Sequence, residues 1–318
     1  MTGNKNKILI TGASGNLGSW MMEHFASSFE VVGLARKQGT ALLNEGQRMV
    51  YGDITDEDRL KQILEEEKPD IIVHLASVNE SFLPGYPDLA LAVNAGGTAK
   101  LLRACAAIPL QRFIYFSTFH VYGKAGGLIN EDTEPTPAND YALTHFFAEQ
   151  YVQMLAAGKF PFTIFRLSNS YGCPMDKHSN KWYLLFNDLC RQAIEKKELR
   201  LKTNGKARRD FIPMKQVVEI VEACLAEKRT ENSILNLGSG IARDLLHVTK
   251  EVALAYQSHY GKELPLFINE EDQHKYPDDL VFSVEKLKSL VPFEQVEAFQ
   301  PEAIKIFQKF GDTGFYDG

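Results

Sequence analysis

Short apolar runs alternate with longer amphipathic stretches through the first half of the chain. KILITG (7–12), EVVGLAR (30–36), DIIVHLAS (70–77) and RFIYFST (112–118) are β-branched and aromatic runs bounded by Gly, Asp or Ser, the pattern of strands buried on both faces. Between them, DEDRLKQILEEEK (56–68) reads as a helix that starts at Asp56 and carries acidic and basic residues on its solvent face. Strands and helices in alternation build a parallel sheet with helices on both sides, so the expected fold class is α/β with a doubly wound sheet.

PFTIFRLSNSYG (161–172) and SILNLGSG (233–240) extend the strand series, but beyond Gly172 the alternation loosens. KWYLLFNDLCRQAIEKK (181–197) is an amphipathic helix, RDFIPMKQVVEIVEACLAEK (209–228) a short strand leading into a helix, and 241–318 a set of helices and loops. The expected division is a sheet domain from 1–166 plus about 212–240, and a smaller C-terminal domain from about 167–211 plus 241–318.

A chain of 318 residues has room for both parts. Its net charge of −6 argues against nucleic acid and anionic membranes as partners, since both reward clustered Lys and Arg. No apolar segment approaches the ~20 residues of a membrane span. The N-terminal MTGNKNKILITG lacks the apolar core and cleavage site of a signal peptide, so the expected location is the cytosol. Cys105, Cys173, Cys190 and Cys224 form no CxxC pair and have no His at zinc spacing, so neither a disulfide nor a metal site is expected.

After the first strand, TGASGNLGSW places Gly12, Gly15 and Gly18 in GxxGxxG spacing, with Asn16 and Leu17 between the last two. Glycines between a buried strand and a helix allow unusual dihedrals and close approach of a pyrophosphate, and the helix amides that follow face the anion. The sheet is therefore expected to be of Rossmann type and to bind a dinucleotide through Gly12, Gly15, Asn16, Leu17 and Gly18. At the end of the second strand stand Ala35, Arg36 and Lys37, with no carboxylate to take a ribose 2′-hydroxyl. Arg36 suits a 2′-phosphate, which favours NADP, with NAD the alternative.

Further motifs follow in a consistent order: GDITD, HLAS, VNAGGT, FSTFHVYG, YALTH, FRLSNSYG and RRDFIPMKQVV. Over about the first 240 residues the chain resembles the extended short-chain dehydrogenase/reductases, in particular the nucleotide-sugar epimerase and dehydratase group. The resemblance implies cofactor contacts at Asp53, Ile54, Leu75, Ala76 and Asn94, and a catalytic hydroxyl at Thr118 beside the proton-transfer group Tyr141. It assigns the sugar-nucleotide diphosphate to Asn169 and Arg209, and makes the smaller domain the substrate-binding one. KYPDD, with Lys275 and Asp278, is an imperfect version of a further diphosphate segment. Trp182 and Tyr183 suit either a nucleobase platform or helix core. The resemblance also implies a homodimer, and FFAEQYVQMLAA offers apolar positions for one.

The departure is at position 145. The family carries Lys four residues after the Tyr, where its charge favours phenolate and its nitrogen holds the cofactor ribose; here the residue is His145, on the same helix face as Tyr141. Two unit charges ~4 Å apart interact by about 4 kcal/mol at an effective dielectric near 20, so losing that cation matters. Three readings fit: His145 is protonated and replaces Lys, it is neutral and orients ribose or water, or activity is lost and the chain is a dinucleotide-binding sensor or scaffold. The family's dehydratases carry Asp and Glu after the catalytic Thr, where this chain has Phe119 and His120, which speaks against 4,6-dehydration. Epimerisation, oxidation and reduction of a nucleotide-linked sugar remain, and His120 is a candidate second proton donor.

Overall fold

The computed structural model describes residues 5–37, 46–79, 87–175 and 181–312. Its main sheet contains β1 (Lys7–Thr11), β2 (Glu30–Ala35), β3 (Gln47–Tyr51), β4 (Ile71–His74), β5 (Arg112–Thr118), β6 (Phe162–Leu167) and β7 (Ser233–Leu237). The spatial order is β7-β6-β5-β4-β1-β2-β3, and every neighbouring pair is parallel. The direction of winding reverses between β1 and β4, which opens a crevice beyond their carboxyl ends. This is the Rossmann-type sheet expected from the apolar runs. β3 was not among those runs, because an edge strand with no fully buried residue carries no continuous apolar signal.

Helices cover both faces. α1 (Asn16–Phe25), α2 (Glu57–Glu67), α3 (Thr98–Cys105), α4 (Asp140–Ala156), α5 (Leu185–Glu195), α6 (Met214–Ala226) and α7 (Leu245–Tyr260) are the longer ones. Leu60 and Ile63 of α2, Leu101 of α3 and Val152 of α4 pack on one face of the sheet with Phe113 and Tyr115 of β5. Met21 and Phe25 of α1 and Val217 and Val221 of α6 pack on the other, with Ile114 and Phe116. β5 thus sends alternate side chains into two cores, as a central parallel strand must. The start of α2 is as expected, with the Asp56 side chain accepting from Arg59 N at 3.0 Å.

A third core joins Phe186 and Leu189 of α5, Val248 and Val252 of α7, and Phe299 and Ile306 of the helix Phe299–Ile306. α5 begins at Leu185, later than the apolar pattern from 181 suggests. A small second sheet orders Ala242–Asp244, Arg208–Pro213 and Asn169–Tyr171, with Phe211 in register with Asn169. That pairing brings the RRDFI segment beside FRLSNSYG, at the mouth of the crevice.

Candidate active site

One cleft of about 1480 Å³ runs along the carboxyl ends of β1, β2, β4, β5 and β6 and is walled on its far side by residues of the third core. It begins at the glycine turn. Gly12 has φ +71°, and a Cβ there would lie 2.9 Å from Ala76 N; a Cβ on Gly18 would lie 2.2 Å from Gly12 O. Both positions therefore require glycine for packing, and Gly12 for dihedral freedom as well. α1 opens at Gly15 with no side-chain cap, so its first amides stay available to an anion. Both amide atoms of Asn16, a buried residue on the cleft wall, lack a protein partner. An orphaned amide and an uncapped helix in a cradle closed to any side chain fit a pyrophosphate-bearing dinucleotide.

Leu17, Arg36, Lys37, Ile54, Leu75 and Ala76 line the same end of the cleft, with Arg36 and Lys37 exposed. Asp53 stays off the wall among the described residues: its Oδ1 accepts from Thr55 N at 2.8 Å and Thr55 Oγ1 at 2.7 Å. Asn94 also stands behind it. Its Nδ2 donates to Val78 O at 3.0 Å and Thr144 Oγ1 at 3.1 Å, while Oδ1 accepts from Val78 N at 2.8 Å. With its amide so used, Asn94 pins the β4 end against α4 rather than facing a ligand.

At the middle of the cleft, β5 ends in Thr118 and α4 presents Tyr141 and His145. α4 is set in place by Asn139, whose side chain accepts from Ala142 N at 2.9 Å. The Tyr141 hydroxyl is hydrogen-bonded to Thr118; burial pushes the phenol up to about 12, and the Thr118 bond pulls the other way. The Tyr141 and His145 rings meet edge to face with centroids 4.6 Å apart. His145 Nδ1 is 2.8 Å from the Tyr115 hydroxyl, and Nε2 is buried without a partner. Burial, and after it His120, push the His145 imidazole down to about 3, so it is neutral at pH 7. Ser117, the neighbour of Thr118, donates to Glu149 Oε1 at 2.5 Å; Glu149 is also bound by Arg166 Nε and Nη2 at 3.1 and 2.7 Å.

His120 lines the cleft, with burial first and the Arg209 charge second pushing it down to about 4. Across from it, Asn169 and Arg209 line the wall, while Arg208 turns to the sheet and donates to Ala242 O at 2.7 Å. Asn169 Nδ2 donates to Asp210 O at 2.9 Å. Asp210, not foreseen from sequence, accepts from Ser168 Oγ at 2.6 Å and from Ser239 N and Oγ at 2.9 and 3.0 Å, holding the small sheet to β6 and β7. Trp182 is core, edge-on to Phe310 at 5.2 Å. Tyr183 faces the cleft and receives a hydrogen bond from Asn79 Nδ2. Lys275 and Asp278 are exposed and do not line the cleft. Among the described residues, Glu23 is the one carboxylate on the wall, on α1 at the glycine end.

Residues 8–238 match the NAD dependent epimerase/dehydratase family, and the chain belongs to that family. Over 305 residues it is 28% identical to dTDP-L-rhamnose 4-epimerase of Burkholderia thailandensis, covering 81% of this chain and 82% of that one. Over 264 residues it is 28% identical to dTDP-D-glucose 4,6-dehydratase of Homo sapiens, covering 77% of this chain and 73% of that one. Among solved structures it shares the fold of UDP-glucuronic acid 4-epimerase from Bacillus cereus, solved in complex with UDP-glucuronic acid and NAD. That match has a TM-score of 0.80 and 23% identity, and covers 95% of this chain and 99% of the other. No helix among the described residues is long and apolar enough to cross a membrane, and none of their His, Cys, Asp and Glu side chains form a group able to hold a metal.

Proposed function

We propose that the chain carries out NAD(P)-dependent hydride transfer at a ring carbon of a nucleotide-linked sugar. The observation that supports it is convergence: the glycine cradle, the bonded Thr118–Tyr141 hydroxyls and Arg209 all face one cleft. At about 1480 Å³ that cleft exceeds the ~300–1,000 Å³ of an ordinary single-ligand pocket, room for a dinucleotide and a substrate together. Gly12, Gly15, Asn16, Leu17 and Gly18 would hold the pyrophosphate, and Asn169 and Arg209 the diphosphate of the sugar. A nicotinamide dinucleotide supplies the two-electron acceptor or donor.

Tyr141 transfers the proton at the sugar oxygen, and Thr118 donates a hydrogen bond to that oxygen. His145, neutral and uncharged, contributes hydrogen bonding rather than a field. A Tyr141 kept as O–H at pH 7 suits a proton donor, and the cationic Arg36 and Lys37 suit a 2′-phosphate. Together they favour NADP and the reduction of a keto-sugar. Elimination of a hydroxyl, as in a 4,6-dehydratase, needs carboxylates at the reacting carbon, and Glu23 lies at the other end of the cleft. A second copy of the chain is the proposed partner, docked on α4.

Native mass spectrometry of the purified protein with a panel of nucleotide sugars tests this reading. Retained NADP with a bound nucleotide sugar is expected; retained NAD with a nucleotide sugar would point instead to internal oxidation and re-reduction. The neutral His145 is the one observation that favours a dinucleotide-binding chain without turnover. Dinucleotide retained with no nucleotide sugar would establish that second reading, and failure to bind any dinucleotide would overturn both.

A further inference from the structure

Phe113 and Tyr115 of β5 lie in the core that contains Ala148 and Val152 of α4. A phenylalanine would fill the place of Tyr115 equally well. What the tyrosine adds is one buried hydroxyl, which is unfavourable unless it is bonded. Its single hydrogen-bond partner among the described residues is His145 Nδ1, at 2.8 Å. His145 lines the cleft against Tyr141, and its other nitrogen is buried without a partner. One imidazole nitrogen is therefore committed to the protein, and the other is left for something the protein does not supply.

We propose that Tyr115 is a positioning residue: it donates its O–H to His145 Nδ1, fixes the neutral tautomer protonated on Nε2, and so presents a single oriented N–H to a ligand hydroxyl beside Tyr141 in the cleft. The ligand part of this rests on the hydride-transfer reading, under which that hydroxyl belongs to the dinucleotide ribose or to the sugar. The direction of the Tyr115 bond follows from acidity. A phenol O–H is a stronger acid than the N–H of a neutral imidazole, so the phenol donates and Nδ1 accepts, and the one ring proton must then sit on Nε2. Burial disfavours phenolate and imidazolium alike, which keeps both partners neutral.

His74 provides an internal comparison. Thr98 Oγ1 spends its proton on Asn94 O at 2.5 Å, so at 2.8 Å it accepts from His74 Nε2–H. Thr11 Oγ1 accepts from Leu75 N and Ala76 N and donates to His74 Nδ1 at 2.6 Å. The two buried imidazoles have the same proton placement, but in His74 both nitrogens are satisfied by the protein.

Nuclear magnetic resonance of the full chain labelled with 15N in histidine reads the tautomer directly. His145 is expected to show a protonated Nε2 and a bare Nδ1, like His74. Tyr115→Phe is expected to give a tautomer mixture at His145 with His74 unchanged, which a purely space-filling Tyr115 would not cause. Calorimetry with NADPH alone and with UDP-glucose alone should show about a tenfold loss of affinity for one of them in Tyr115→Phe. The ligand that weakens owns the hydroxyl. A protonated Nδ1 in the unaltered protein, or both affinities within about twofold of it, would overturn the proposal. If neither ligand binds the unaltered protein, NADH and dTDP-glucose take their places; if these also fail to bind, the hydride-transfer reading falls, and the tautomer measurement alone then decides the role of Tyr115.

Discussion

Replacing Thr118 by Val keeps a β-branched side chain at the end of β5 and removes only the hydroxyl that Tyr141 bonds. If Thr118 donates to the reacting oxygen, Thr118→Val should lower kcat by roughly 10²–10³ and leave KM for the nucleotide sugar nearly unchanged. Steady-state kinetics decides it, and an unchanged kcat would return Thr118 to the role of cap for the turn after β5. That Thr118 and Tyr141 meet in one cleft was legible because FSTFHVYG and YALTH resemble segments of the family. Tyr115 was not readable: inside RFIYFST a tyrosine looks like any aromatic core residue, and only its distance to His145 gives it a different role. Asn94 was recognised by its motif, but only its three hydrogen bonds show that it ties two elements together behind the wall.

α4 has two working faces. Ala142, His145, Ala148, Glu149 and Val152 are buried against the sheet, whereas Leu143, Phe147, Tyr151 and Met154 stand 36%, 41%, 36% and 63% exposed. The latter four are spaced by four, four and three residues, a continuous apolar stripe along one side of the helix. Leu89 and Leu91, 40% and 49% exposed, belong to the helical segments 87–97 that pack on α4. A stripe of this kind is costly to leave in water and suits a second copy of the same helix. The protein is expected to elute as a dimer in size-exclusion chromatography with light scattering. Phe147→Glu combined with Met154→Glu is expected to yield a monomer with unchanged circular dichroism. A monomeric unaltered protein would refute the docking of α4. The helix itself was legible from FFAEQYVQMLAA, yet its periodicity could not say which apolar residues face the sheet, because both faces carry them. The strand Ala242–Asp244 was equally hidden, being three residues long and defined only by its partner, and PFTIFRLSNSYG, read as one strand, divides into β6 and the strand Asn169–Tyr171 of the second sheet.

Across the whole molecule, the parallel sheet with helices on both faces follows from repeated strand–helix alternation, which is why it could be read from sequence, whereas the strand order and the place of the cleft came from the structure. The acid sensitivity of the fold could not be read from sequence either, because it depends on which histidines close over. His74 joins the ends of β1 and β4 to α3 through Thr11 and Thr98, and His145 sits between β5 and α4. Burial pushes both imidazoles down to about 3. In the unfolded chain they titrate near 6.5. Below that pH the unfolded state binds protons that the folded state refuses, so stability is level above pH ~6.5 and falls as the pH drops towards 3. Each histidine contributes a slope of at most about 1.4 kcal/mol per pH unit; these two together remove about 5 kcal/mol between pH 6.5 and 4.5, and His120, pushed down to about 4, removes about 2 kcal/mol more. That is comparable to the whole ~5–15 kcal/mol that holds a typical domain together. Urea denaturation followed from pH 7.5 to 4.5 should therefore show a midpoint that is flat at first and then falls steeply, and His145→Phe should remove about a third of the fall. A midpoint that stays constant down to pH 4.5 would mean that water reaches these imidazoles and that none is held neutral by burial.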